Sequence, residues 1–371
     1  MKRRVKLPEP VIKLLIVDDS ALMRRQLSTL FASAGGFEIR QARTGKEAIA
    51  ENISFAPDVV TLDINMPEMD GLTALSVIMT ERPVPVVMVS SLTERGALAT
   101  LEALNMGAVD YIPKPGGTIS LSIVEIERDL IAKVRAAAQS RLRPLPATPP
   151  AARPAPRSAG SQALSRLRAA PRPGPAQKVG DGLVLIGVST GGPRTLGEIL
   201  PFLPADFPWP VLVAQHMPGA FTKSFAERLD RMCPLAVQEV VAPSPITPGQ
   251  IYVARGGADM VVARRSEGLY ALPRPESAQH LWHPSVELLA RSALAHCPAT
   301  SLVGVMLTGM GNDGADGFAE IARRGGRTIA ESDETAIVYG MPRELVDRGG
   351  AKAVLPAHRI AAQLCNWAEA A

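Results

Sequence analysis

The residues best suited to chemistry fall at separated points of the chain. Gly187-Val188-Ser189-Thr190-Gly191 directly follows the apolar run Leu183-Val184-Leu185-Ile186. A strand that ends in G-x-S-x-G and turns into a helix is the layout of an exposed nucleophilic serine. Its glycines permit a turn too tight for residues with a Cβ. His216-Met217-Pro218 follows the apolar run 211–215, and Thr308-Gly309-Met310-Gly311-Asn312-Asp313-Gly314 follows the run 302–307. Serine, histidine and aspartate at one edge make an acyl-transfer site: Ser189 attacks, His216 takes and returns the proton, and Asp313 holds the imidazole. Pro193 opens a helix after the serine, so free N–H groups point back at it. The N–H groups near Thr190, and near Met310 in the glycine-rich loop, are candidate oxyanion donors.

Each residue also has a plainer reading. His216 alone fits a hydrogen-bonded loop histidine, and Asp313 among glycines fits a turn former. The run around Asp313 lacks the spacing of a calcium loop, and Thr190-Gly191-Gly192 lacks the lysine of a phosphate-binding loop. His280 and His283 have no cysteine or acidic cluster at metal-ligand spacing. The convergence of Ser189, His216 and Asp313 on strand ends favours catalysis.

A second constellation lies in the first 140 residues. Asp18 and Asp19 follow the apolar run 12–17, Asp63 follows 58–62, Ser90 follows 84–89, and Lys114-Pro115 follows 108–112. Carboxylates gathered at one edge repel each other unless a cation sits among them, and an oxygen set of this kind suits Mg²⁺. Asp63 is then the acceptor of a phosphoryl group, with Ser90 and Lys114 holding the new oxygens.

The elements that position these groups are apolar runs alternating with helical patterns, which predicts parallel sheets with crossover helices. The fold class expected is α/β, with two doubly wound domains. The N-terminal one is small and flavodoxin-like; the C-terminal one has a mainly parallel sheet. In such sheets ligands bind at the carboxyl ends of the strands. Domains are expected at 11–138 and 180–371, joined by a Pro/Ala/Arg-rich linker at 139–179.

The linker decides how charge is read. Residues 141–177 hold seven Arg and no Asp or Glu, so their +7 exceeds the chain's formal +4 and leaves −3 on the remainder. Folded domains of that charge, with no aromatic residues among the linker arginines, do not imply a nucleic-acid partner. The three cysteines (Cys233, Cys297, Cys365) are isolated, which argues for a reducing compartment. No apolar run approaches a membrane span. Lys13, Asp18 and Asp19 interrupt the apolar stretch after Met1-Lys2-Arg3-Arg4, so no signal peptide or membrane insertion is expected. The location expected is cytoplasmic.

Beyond chemistry and composition, the motifs resemble two known families in tandem. Leu14-Leu15-Ile16-Val17-Asp18-Asp19-Ser20, the run from Asp63 to Gly71, Val87-Met88-Val89-Ser90-Ser91 and Tyr111-Ile112-Pro113-Lys114-Pro115 resemble a response-regulator receiver domain. Gly187 to Pro193, Gln215-His216-Met217-Pro218, the run from Leu307 to Gly314 and Tyr339-Gly340-Met341-Pro342-Arg343 resemble the bacterial chemotaxis protein-glutamate methylesterase of the CheB type. The resemblance implies a phosphorylation-activated serine hydrolase. It would demethylate glutamate methyl esters and deamidate glutamines on methyl-accepting chemotaxis receptors, and a sensor histidine kinase would be its phosphodonor. It implies Ser189, His216 and Asp313 as the catalytic residues, Asp63 as the phosphoacceptor, and Ser90 and Tyr111 as switch residues. The Mg²⁺ ligands would be Asp19, Asp63 and the backbone carbonyl at Asn65, with Asp18 completing the pocket. No cofactor is implied for the esterase reaction. Asn65, Glu287 and Ala290 depart from the residues most usual in these families. A competing expectation is a receptor-binding adaptor with a weak or inactive esterase domain; three intact catalytic residues argue against it.

Overall fold

The computed structural model describes residues 11–90, 93–114, 123–140 and 182–370. Ser91, Pro115 and the linker beyond Ser140 lie outside the described residues. The first unit runs β1 (Ile12–Val17), α1 (Ala21–Ala34), β2 (Phe37–Ala42), α2 (Gly45–Ser54), β3 (Val59–Asp63), α3 (Gly71–Glu81), β4 (Val86–Ser90), α4 (Glu94–Asn105), β5 (Asp110–Pro113) and α5 (Ile123–Ala138). Its strands form one parallel sheet in the order β2-β1-β3-β4-β5. Every residue of β3 and β4 is buried, as strands covered by helices on both faces require. The edge strand β2 is mostly exposed or half-buried, which is why its apolar run is weak.

Strand ends shift slightly from the sequence reading. Asp63 and Ser90 are the last residues of β3 and β4 rather than the next ones, because the ladder continues through Asp63↔Val89 and Ser90↔Pro113. Four helices then start from side-chain caps: Ser20, Thr44, Asp70 and Thr93 each accept a backbone N–H of the first turn.

The second unit runs β6 (Leu183–Val188), α6 (Gly192–Ile199), β7 (Val211–Gln215), α7 (Gly219–Met232), β8 (Ala236–Val240), β9 (Ser244–Pro245), β10 (Gln250–Ala254), β11 (Asp259–Arg265) and β12 (Gly268–Arg274). It continues with α8 (Val286–His296), β13 (Leu302–Met306), α9 (Ala315–Arg323), β14 (Arg327–Glu331), α10 (Met341–Asp347), β15 (Ala353–Leu355) and α11 (Ala357–Glu369). Seven strands form a parallel sheet in the order β15-β14-β13-β6-β7-β10-β8. An antiparallel sheet of β11, β12 and β9 adds to the mainly parallel sheet that the apolar runs predict. β6 lies between β7, which follows it, and β13, which the chain reaches only after crossing back. That reversal opens a crevice at the carboxyl ends of β6 and β13.

Candidate active site

Ser189 is the first residue after β6, half-buried, on a turn held from three sides. Its N–H donates to the Thr308 carbonyl at 3.0 Å, its carbonyl accepts from Gly192 N–H at 2.8 Å, and Gln215 Nε2 donates to the same carbonyl at 3.0 Å. Gly191 makes the turn at φ 79°, a left-handed conformation that L side chains resist. Gly309 permits the closest approach, since a Cβ there would lie 2.6 Å from Ser189 Cβ. His216 follows β7 on the neighbouring strand, and its N–H donates to the Val188 carbonyl at 3.0 Å.

The imidazole and Asp313 meet directly. His216 Nε2 donates to Asp313 Oδ2 at 2.9 Å, with the two side chains 8% and 5% exposed. His216 Nδ1 is buried and has no hydrogen-bond partner among the described residues. With the proton on Nε2, Nδ1 carries the lone pair, so it is the nitrogen able to take a proton.

Asp313 is fixed by the start of α8. Oδ2 accepts from Val286 N–H at 2.6 Å; Oδ1 accepts from Glu287 N–H and Ser285 Oγ, both at 3.0 Å. Burial alone would raise this carboxyl. The His216 hydrogen bond and charge, and the two backbone N–H groups, outweigh it and hold the pKa below the usual carboxylate value. The positive end of the α8 dipole acts in the same sense. An ionised aspartate is therefore aimed at the His216 ring.

The candidate oxyanion donors fall on loops that flank Ser189. Neither the Thr190 nor the Met310 N–H donates to a protein acceptor among the described residues. The Thr190 carbonyl accepts from Thr308 Oγ1 at 2.9 Å, and Thr308 N–H donates to the buried Glu331 Oε2 at 2.8 Å. This buried chain sets the peptide planes on both sides of the serine.

In the first unit Asp18 and Asp63 are fully buried and Asp19 is exposed; each offers an oxygen within 4.8 Å of the others'. Lys114 Nζ donates to Asp63 Oδ2 at 2.7 Å and lies 3.2 Å from Asp18 Oδ2, an atom left without a hydrogen bond. Burial raises the Asp63 carboxyl despite Lys114. Desolvation would lower the Lys114 ammonium, but Asp63 and Asp18 outweigh it and raise it. One ammonium thus leaves the carboxylate cluster undercompensated, and a buried carboxylate oxygen without a donor fits a hard divalent cation. Ser90 is buried at the end of β4. Asn65 N–H donates to Asp63 Oδ1 at 3.2 Å, which bends the chain so that residue 65 follows the acceptor closely.

The two sites meet across the domain contact. Tyr111 is buried with its ring on Phe221 of α7, centroids 4.7 Å apart, and its hydroxyl has no hydrogen-bond partner among the described residues. Asp110 Oδ2 accepts from Thr190 Oγ1 at 2.6 Å, one residue from Ser189. Arg228 of α7 donates to the Leu101 carbonyl at 3.0 Å and to Asn105 Oδ1 on α4. A cleft of about 540 Å³ remains between α5 and the second unit, lined by Arg135, Met310, Ile337, Tyr339 and Arg343 among others.

Sequence reasoning missed several residues that build the site. Asp110, Glu331, Trp282 and the N–H groups at 286 and 287 carry no motif of their own, and Thr308, inside the 308–314 loop, had no role assigned from the sequence. Ser285 had a local signal: it caps α8, accepting from Leu288 N–H at 3.2 Å. Glu287 does structural duty here, since its Oε2 accepts from Gly317 N–H at 2.8 Å. Ala290 is small where a Cβ on Gly317 would come within 2.6 Å of its own Cβ, so α8 and α9 pack backbone to backbone.

Each unit matches a known protein family. The CheB methylesterase family model matches residues 184–364, and the response regulator receiver domain model matches residues 14–123. A protein-glutamate methylesterase/protein-glutamine glutaminase of Rhodospirillum rubrum is 55% identical over 96% of this chain and 96% of its own length. One from Rhodopseudomonas palustris is 52% identical over 97% of this chain and 99% of its own. The crystal structure of the Thermotoga maritima CheB methylesterase catalytic domain is 37% identical, covers 50% of this chain and 98% of its own, and aligns with a TM-score of 0.49. Among the described residues no helix is long and apolar enough to cross a membrane. With a relative more than half identical across nearly the whole length of both proteins, this chain belongs to the protein-glutamate methylesterase/protein-glutamine glutaminase family.

Proposed function

We propose that this chain hydrolyses glutamate γ-methyl esters, and deamidates glutamines, on methyl-accepting chemotaxis receptors in the cytoplasm, under control of phosphorylation at Asp63. Ser189 Oγ attacks the side-chain carbonyl while His216 Nδ1 takes its proton. The oxyanion forms where the free Thr190 and Met310 N–H groups can meet it. The imidazolium, stabilised by ionised Asp313 on Nε2, returns the proton to the departing methoxide as methanol, or to the departing amide nitrogen as ammonia. Water then adds to the acyl-enzyme, His216 again accepting a proton, and glutamate and free Ser189 result.

The observation that carries this reading is the His216–Asp313 contact at 2.9 Å, with Asp313 clamped by α8 and Nδ1 left as the one open basic nitrogen of the ring. Asp19, Asp63, the Asn65 carbonyl and Asp18 would hold Mg²⁺, which supplies charge neutralisation for transfer of a phosphoryl group from a histidine kinase. Lys114 holds Asp63 in place before transfer and is positioned to pair with the phosphoryl oxygens after it. Methanol release from a methylated receptor tests the function. Wild type should release methanol and Ser189→Ala should not; equal release from both would overturn the assignment.

A further inference from the structure

Asp259, the first residue of β11, is 1% exposed, yet the reaction makes no use of it. Its carboxylate gathers a loop around itself. Oδ1 accepts from His283 Nδ1 at 3.0 Å and from Ser285 N–H at 2.8 Å, and Oδ2 accepts from Ser277 N–H at 3.3 Å. The loop so gathered touches each part of the catalytic apparatus except the nucleophile. Trp282 lies parallel to the His216 imidazole, centroids 5.7 Å apart and planes 5° apart. The indole also lies over Gly311 in the loop that carries Met310, where an added Cβ would meet the ring at 3.0 Å. Ser285 donates to Asp313, and the next two N–H groups complete the Asp313 clamp.

We infer that Asp259 and His283 form a positioning pair for the hydrolytic site, holding the 282–287 segment so that base, aspartate and oxyanion loop keep one geometry. The inference rests on the Ser189–His216–Asp313 reading. A buried carboxylate that accepts from three donors locks rotamers as a supporting shell must. His283 Nδ1 is the one side-chain donor among the three; the others are backbone. His283 is thus where the geometry can be released without touching a reacting group.

The test uses the full chain activated with acetyl phosphate and a methylated chemoreceptor as substrate. His283→Ala should lower kcat by roughly 10²-fold, the cost of a misplacement near 1 Å, with KM changed less than about twofold. His283→Asn puts an amide N–H where Nδ1–H sits and should restore most of the rate. His283→Gln keeps the volume but puts its amide near the Nε2 position, and should not. The Asn and Gln variants decide the matter if the alanine variant does not fold. A second readout needs no substrate: the downfield proton resonance of His216 Nε2–H on Asp313, assigned by its loss in His216→Gln. It should persist in His283→Asn and be lost or moved in His283→Gln. The pair has no positioning role if kcat falls while that resonance stays, if the resonance moves with kcat unchanged, or if Asn and Gln variants behave alike. Should wild type hydrolyse no ester, the reading of the site fails, and the resonance alone still decides whether Asp259 and His283 order the His216–Asp313 contact.

Discussion

Replacing Asp110 with alanine should raise the esterase rate of the unphosphorylated chain about tenfold. Asp110 is 5% exposed, and its bond to Thr190 Oγ1 at 2.6 Å ties the receiver to a proposed oxyanion donor. Hydrogen bonds to a charged group contribute about 1.5–3 kcal/mol. The other Asp110 contacts, Lys133 Nζ at 3.6 Å and Tyr111 N–H at 2.8 Å, lie within the receiver. They persist whether the domains are docked or apart and cancel from the docking equilibrium. Water replaces Thr190 on the undocked carboxylate, which puts the net loss at the lower end, roughly 1.5 kcal/mol or about tenfold in that equilibrium. Asp110→Asn keeps an acceptor without the charge and should fall between. The assay is methanol release from a methylated chemoreceptor by full-length protein, with and without acetyl phosphate. The phosphorylated rates of variant and wild type should match. An unchanged basal rate in Asp110→Ala would sink the idea that this bond restrains the enzyme, and so would an equal fall in both states.

Other outcomes rest on the same geometry. Asp313→Asn should lower kcat by about 10⁴-fold, because an amide cannot accept from His216 Nε2–H and the α8 N–H groups without turning its NH₂ toward one of them; steady-state kinetics checks this. Asp313 has a folded pKa below its unfolded value of about 3.9. Its contribution to stability is therefore present above about pH 4 and lost as pH falls toward the folded pKa; urea titrations across that range should show a shallower acid limb in Asp313→Asn than in wild type. Asp63→Asn should hold the full chain at its basal rate whatever the acetyl phosphate concentration, and chelation of Mg²⁺ should do the same to wild type without lowering the basal rate. Arg228→Ala should raise basal activity modestly, since it loses its contacts to Leu101 and Asn105 across the domains.

The parts of this molecule legible in its sequence are those where local pattern and global fold coincide. Buried parallel strands such as β3, β4, β6 and β13 are near-continuous apolar runs, and the residues just beyond them stand out by contrast. Gly191 and the Gly309–Gly314 loop announce turns because only glycine meets their backbone demands. The hidden parts depend on partners far apart in the chain. Thr190 and Asp110 are 80 positions apart, and His283 and Asp259 are 24 apart on either side of a hairpin. A polar residue at the start of a strand, as Asp110 and Asp259 both are, has the same local appearance whether it faces solvent or anchors a loop. The weak alternation of β11 and β12, interrupted by Arg264 and Arg265, concealed the antiparallel sheet as well.

Thr190 is where the two sites of this chain become one device. Its carbonyl is held by Thr308, its N–H is open toward the proposed oxyanion, and its hydroxyl is bound by the receiver. The docked state also carries a cost, however. Tyr111 buries a hydroxyl with no partner among the described residues, which costs about 1–3 kcal/mol. That penalty offsets the Thr190–Asp110 bond and part of the contribution from the Phe221 stack. Moving an equilibrium from 1:99 to 99:1 takes about 5.5 kcal/mol. A phosphoryl group on Asp63 adds close to two negative charges beside Lys114, four residues from Asp110 and three from Tyr111 on the same chain segment. Because that cost already offsets part of what holds the contact, a local change can release Thr190 without rebuilding the interface. A receiver docked through a perfectly satisfied interface would inhibit more tightly and answer phosphorylation less.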